Sequence, residues 1–158
     1  MIVMSTSVEE TLALGRRLGR LAAPGQCLAL SGPLGAGKTH LVRGLAAGAQ
    51  VLDPDLASSP TFVLLNIYAE DPANPDSKAV FHLDAYRAHG PADFEAVGFD
   101  ELLHERAIIA VEWPERIPGI LPADHLLITI DPQDESTREF TLQASGPRSQ
   151  ALLTALRV

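Results

Sequence analysis

The chain has 158 residues and a formal net charge of −8, with nearly half of its residues apolar. That length can bury a sizeable core, and the acidic balance argues against a protein that grips a nucleic-acid backbone over a wide face. The one cysteine, Cys27, cannot close an internal disulfide and reads as a small buried hydrophobe, and no Cys/His cluster has zinc spacing.

The opening MIVMSTSVEE turns acidic at once and lacks the basic end and apolar stretch of a secretory signal. No apolar run approaches the length of a membrane span, so the expectation is a cytoplasmic protein without membrane contact. Residues 7–22 predict a helix: Ser7 and Glu10 have capping-box spacing, and Val8, Leu12, Leu14, Leu18 and Leu21 form an apolar stripe. Pro24-Gly25 ends it. A short apolar run at 27–31 predicts a buried strand, and helical periodicity resumes over 38–50 through Leu41, Val42, Leu45 and Ala46.

Residues 57–61 read as a polar turn and 62–69 as a strand. The stretch 70–78 carries two prolines, an asparagine and three acidic residues, which is the composition of a mobile loop. A strand follows at 79–83, then two short helices at 91–97 and 99–106 broken at Gly98. AIIAV at 107–111 is a continuous apolar run of the kind buried on both faces of a sheet. Strands at 125–130 and 138–143 can pair as a hairpin across 131–137, and 149–156 reads as a closing helix. This alternation predicts a single α/β domain over 1–158 with a layered structure. The later strands lack obvious crossover helices, so the central sheet should be mixed, though mainly parallel.

The chemistry concentrates between the first buried strand and the helix after it. Gly32-Pro33-Leu34-Gly35-Ala36-Gly37-Lys38-Thr39 matches G-x-x-x-x-G-K-[ST]. Glycines let the backbone curl so that successive N–H groups point at phosphate oxygens, and the following helix adds the positive end of its dipole. Lys38 can reach the β- and γ-phosphates and the Thr39 hydroxyl can ligate Mg2+. The alternative is a glycine-rich strand-to-helix turn without a ligand; the apolar strand before the loop and the amphipathic helix after it favour the phosphate reading.

Such a loop needs acidic partners at the ends of central strands. Asp84 follows AVFHL and Glu112 follows AIIAV. The bland readings are a turn-capping aspartate and a strand-end charge. His82 shares a strand face with Asp84 and reads either as a chemical group or as a hydrogen-bonded strand histidine. Arg87 suits a phosphate, a partner or a surface ion pair. Trp113 packs near the nucleotide or closes the core. Ser59-Pro60-Thr61 reads as a loop sensing the γ-phosphate or as a proline-fixed turn.

GPLGAGKT at 32–39, SPTF at 59–62, HLDAYR at 82–87 and VEWPER at 111–116 occur in this order, and the set closely resembles the TsaE (formerly YjeE) family, bacterial ATPases of tRNA threonylcarbamoyladenosine biosynthesis. The resemblance covers roughly the whole chain, including GILP at 119–122. It implies a protein that binds ATP and Mg2+, hydrolyses ATP to ADP slowly alone, and acts with TsaB and TsaD, which transfer threonylcarbamoyl to adenosine 37 of tRNAs reading ANN codons. The tRNA would be met only through that complex. Carried over by position, Lys38 and Thr39 are the phosphate and Mg2+ residues, and Thr61 belongs to a first switch-like loop. Asp84 becomes the catalytic or metal-organising carboxylate of a second such loop, Glu112 a magnesium-site acid, and Trp113 a neighbour of the nucleotide. Which carboxylate orients the attacking water is left open by the motif. His40 departs from the second Thr or small residue many relatives carry there, and falls with the nucleotide-binding stretch although outside the phosphate pattern.

Two other readings compete. A small-molecule P-loop kinase would carry an arginine-rich lid late in the chain, whereas Arg138, Arg148 and Arg157 are scattered. A non-enzymatic nucleotide-binding protein would not need the set Lys38, Thr39, Asp84 and Glu112.

Overall fold

The computed structural model describes residues 1–54 and 64–157. The predicted polar turn at 57–61, Thr61 within it, and the first two residues of the predicted strand at 62–69 lie outside the described residues. In chain order the elements are β1 (Ile2–Ser5), α1 (Val8–Leu21), β2 (Cys27–Ser31), α2 (Lys38–Ala49), β3 (Leu65–Tyr68), β4 (Ala79–Asp84), α3 (Pro91–Ala96), α4 (Phe99–Leu102), β5 (Ala107–Glu112), β6 (His125–Pro132), β7 (Arg138–Ala144) and α5 (Pro147–Ala155).

Ser7 starts α1 in extended conformation and accepts the Glu10 N–H at 3.2 Å. Glu10 reaches back one residue further than a capping box requires, accepting from the Thr6 backbone at 2.6 Å and its hydroxyl at 3.1 Å. The α2 helix starts differently. Its N-cap is Gly37, which offers no side chain to the first-turn amides.

Among the described residues seven strands form one sheet in the order β1-β7-β6-β2-β5-β4-β3. The four central strands β6, β2, β5 and β4 are parallel, and β1, β7 and β3 join antiparallel. The mixed, mainly parallel sheet read from the sequence is therefore present. Strand alternation splits the core in two. Leu28, Leu30, Ile108 and Ala110 pack with α1, α2 and α5 on one face, and Phe81, Leu83, Ile109 and Val111 pack with Phe94 and Phe99 on the other. The result is three layers.

Four local readings differ from the structure. Strand β1 was not anticipated; it pairs only with β7, from the far end of the chain. The helices at 91–97 and 99–106 shrink to α3 and α4. The closing helix begins two residues early, because the Asp124 carboxylate accepts the Arg148 and Ser149 amides at 2.8 and 3.0 Å. The 70–78 loop is tied down rather than loose. Ser77 Oγ donates to Gln50 O at 2.6 Å, and Lys78 Nζ donates to Gly19 O, Arg20 O and Ala22 O, each at 2.8 Å, closing the carbonyl end of α1.

The predicted hairpin forms, with longer strands and a tighter turn. Asp134 Oδ1 accepts the Ser136 and Thr137 amides at 2.8 and 2.7 Å. The Thr137 and Ser136 amides hold its carboxyl down to about 2. No helix of the described residues is long and apolar enough to cross a membrane.

Helices α1 and α2 approach backbone to backbone. A Cβ on Gly44 would meet Gly15 Cα at 3.0 Å, and one on Gly48 would overlap the Arg16 carbonyl, with Arg16 Cα at 2.7 Å. Because backbone cannot swing aside as a side chain does, Gly48→Ala is expected to destabilise by about 1–3 kcal/mol. That corresponds to a melting midpoint lower by roughly 2–12 °C for a chain of this size. A thermal melt showing no change would mean that the helix pair separates freely.

Candidate functional site

The parallel register of β2, β5 and β4 pairs Leu30 with Glu112 and Glu112 with Asp84. Both carboxylates thus stand at the carboxyl edge where β2 passes into the glycine-rich loop, the usual place for a ligand crevice in such sheets. Within the loop, Gly35 has φ +78° and Gly37 φ +107°, conformations that a Cβ disfavours. Among the described residues nothing lies within 4 Å of a Cβ built on Gly35, so conformation rather than crowding calls for glycine there.

Lys38 is only 5 % exposed. Its ammonium donates to Gly32 O at 2.7 Å and Pro33 O at 2.9 Å, and lies 3.8 Å from the centre of the Trp113 ring. Burial pulls its pKa below the ordinary lysine range, while Glu112, Glu115 and Asp84 push it back up. The lysine is satisfied by its own loop, in contacts that a phosphate oxygen can replace.

Trp113 has φ +59°, a left-handed conformation costing a bulky residue about 1–2 kcal/mol. Its amide donates to Leu30 O at 3.1 Å, so the sheet ladder holds the bend. The bend lays the indole against Tyr86, ring centroids 5.0 Å apart, while the Arg116 guanidinium sits 5.2 Å from the Tyr86 ring centre. Of the two sequence readings, Trp113 lines the cleft and also packs on the second apolar cluster.

Glu112 is 3 % exposed and its Oε1 lies 2.9 Å from Nε2 of the fully buried His82. His82 Nδ1 lies 3.2 Å from the Tyr68 hydroxyl. One neutral tautomer satisfies the chain: Tyr68 donates to Nδ1, and Nε2–H donates to Glu112. His82 does share its strand face with Asp84, but its partner is Glu112, one strand away. Asp84 Oδ1 accepts the Tyr86 amide at 2.9 Å, which is the turn-capping reading, while the residue also lines the cleft.

That cleft has a volume of about 320 Å³, within the range of small-molecule sites. Leu34, Gly35, Ala36, Gly37, Lys38, Thr39, His40, Asp84, Glu112 and Trp113 all line it. Gly32 and Pro33 contribute the carbonyls that hold Lys38. Thr61 lies outside the described residues. Tyr86, Arg87 and Arg138 line the cleft as well; Arg87 had several readings and Tyr86 none. Arg138 looked like one of three scattered arginines. A signal for it existed: β6 runs parallel to β2, so the first residue of its antiparallel hairpin partner returns to the edge of the glycine-rich loop.

The residues present fit a nucleotide with Mg2+. Among the described residues the loop is open above Gly35, an amine is held by replaceable carbonyls, and the N-cap of α2 is a glycine without a capping side chain. Among the described residues no cluster of three or more His, Cys, Asp or Glu forms a metal cage. Mg2+ carried with phosphates asks for less, one or two carboxylates, and Asp84 and Glu112 with the Thr39 hydroxyl supply that.

Comparison with known proteins agrees with this architecture. The family model described as threonylcarbamoyl adenosine biosynthesis protein TsaE matches residues 5–140. A tRNA threonylcarbamoyladenosine biosynthesis protein TsaE from Bacillus subtilis is 34% identical over 148 residues, covering 94% of this chain and 88% of that protein. The protein of the same name from Streptomyces coelicolor is 41% identical over 140 residues, 85% and 90% of the two chains. Among solved structures, the crystal structure of Bacillus subtilis YdiB superposes with a TM-score of 0.79 at 30% identity, covering 99% of this chain and 93% of that one. The α/β fold is thus a P-loop NTPase-like three-layer fold, and the chain belongs to the TsaE family.

Proposed function

We propose that this protein is a Mg2+-dependent ATPase that supports TsaB and TsaD in forming N6-threonylcarbamoyladenosine at position 37 of ANN-decoding tRNAs. The observation that carries the ATPase reading is the single cleft holding a phosphate loop, a replaceable lysine and two strand-end carboxylates. The names of the relatives supply the tRNA-modification setting.

On this reading Gly35 to Thr39 wrap the phosphates with backbone amides, and His40 continues the wall along the first turn of α2. Lys38 exchanges Gly32 O and Pro33 O for β- and γ-phosphate oxygens, which keeps its charge solvated throughout. Trp113 stays over the lysine as a lid that keeps water from that charge. Thr39, Asp84 and Glu112 hold Mg2+ directly or through water. Bound Mg2+ supplies charge neutralisation at the β- and γ-oxygens. The His82 hydrogen bond fixes one Glu112 oxygen, so the carboxylate meets metal or water in one orientation. A site that a partner completes suits slow turnover alone.

The decisive experiment measures ATP hydrolysis with and without the TsaB–TsaD pair of the same organism. Stimulation that Lys38→Ala abolishes is the expected result; absence of both stimulation and complex formation would overturn the assignment to that assembly. Lys38→Ala is also expected to weaken ATP and ADP binding about tenfold or more, read from fluorescence of Trp113, the sole tryptophan. Its melting midpoint without nucleotide should not fall, because the lost contacts are loops the lysine borrows. Glu112→Gln should bind nucleotide within about threefold of the wild type yet turn over at least about 100-fold more slowly. Failure of that variant to bind nucleotide would place Glu112 in affinity rather than chemistry.

A further inference from the structure

The cleft has two unlike flanks. Strands β4 and β5 bring Asp84, Glu112 and Trp113 to one side of β2, and β6 and β7 lie on the other. On that second side stands Arg138, the first residue of β7, paired in register with Pro132 and Ser5. It is half-buried, lines the cleft, and its Nε would lie 3.9 Å from a Cβ built on Gly37. Among the described residues it pairs with no carboxylate. The one hydrogen bond of its side chain among these residues is NH1 to Glu135 O at 3.0 Å, inside its own turn. In a chain with eight more acidic than basic side chains, a cleft-lining guanidinium that pairs with no carboxylate of the described residues, beside α2 amides whose N-cap is a glycine, calls for an anion.

Which part of a nucleotide it meets follows from the layout. Lys38 and the carboxylates take the β/γ end and its metal, on the β4–β5 flank. Loop amides and the first turn of α2 take the α- and β-phosphates. Arg138 stands across the loop from the carboxylates, on the flank away from the metal. Resting on the nucleotide-binding reading above, we infer that the Arg138 guanidinium binds the α-phosphate and ribose end, the part common to ATP and ADP. The turn ordered by Asp134 and the Glu135 carbonyl aims it, and the fork geometry of the guanidinium matches a phosphate better than an ammonium does.

The test is equilibrium binding of ADP and of ATP, by titration calorimetry, to the full chain and its Arg138→Ala and Arg138→Lys variants. Arg138→Ala is expected to weaken both nucleotides by the same factor, about tenfold, with Arg138→Lys recovering only part of the loss and the melting midpoint without nucleotide unchanged in both. Unchanged ADP affinity would overturn the inference, as would a loss confined to ATP, which would put Arg138 on the γ-phosphate. If the wild type binds neither nucleotide, the proposed function falls and this inference with it; if the wild type binds and Arg138→Ala binds equally well, the inference alone falls.

Discussion

The cleft depends on one nearly buried charge. An ammonium withdrawn from water costs several kcal/mol unless its protons find partners, and Lys38 finds them in two loop carbonyls and an indole face. No carboxylate of the described residues touches it directly, although three act on it through the field. A direct ion pair would have locked the lysine away from phosphate. Carbonyls and a ring satisfy it while leaving it exchangeable. The two unusual backbone features of the site serve this arrangement: left-handed Gly35 and Gly37 curl the loop around the amine, and left-handed Trp113 drops the indole on top. One bend follows β2 and the other follows β5, so the pairing of those two strands sets the distance between them.

The same dependence on register governs the acidic side. Tyr68, His82 and Glu112 come from three adjacent strands, one residue each. Each lies on the face shared with α2, because the relevant positions alternate along β4 and β5. A slip of one residue in β4 would send His82 to the opposite face and leave a buried carboxylate without its donor. A fully satisfied buried chain of this kind penalises every alternative pairing. Sheet register and site geometry are therefore one property of the sequence.

That property was partly legible. The strand–loop–helix unit at 27–49 and the strand ends at Asp84 and Glu112 could be read because their cues are local: apolar runs, glycines and the polar residue just after each run. What escaped depends on partners distant in sequence. β1 is four residues with Ile2 and Met4 exposed, and only β7 makes it a strand. The 70–78 segment has loop composition, but nothing in that composition announces that Lys78 closes the end of α1. The approach of Gly15 and Gly19 to Gly44 and Gly48 requires knowing that α1 and α2 touch. Arg138 looked scattered because a hairpin turn, rather than a motif, returns it to the cleft.

Charge distribution then reconciles the composition with the chemistry. A net charge of −8 opposes polyphosphate at long range, yet at physiological salt fields fade over about 8 Å. Within that radius the cleft offers Lys38, the α2 amides and Arg138 beside Asp84 and Glu112, which a metal would neutralise, and Glu115, which also acts on Lys38. Attraction is short-ranged and confined to something the size of a nucleotide, whereas an extended RNA backbone would meet the repulsive remainder of the surface. The acidity that argues against direct grip on tRNA thus sharpens selection for a small anion. On the proposed reading, acids on one flank and an arginine on the other would give that anion a direction as well as a site.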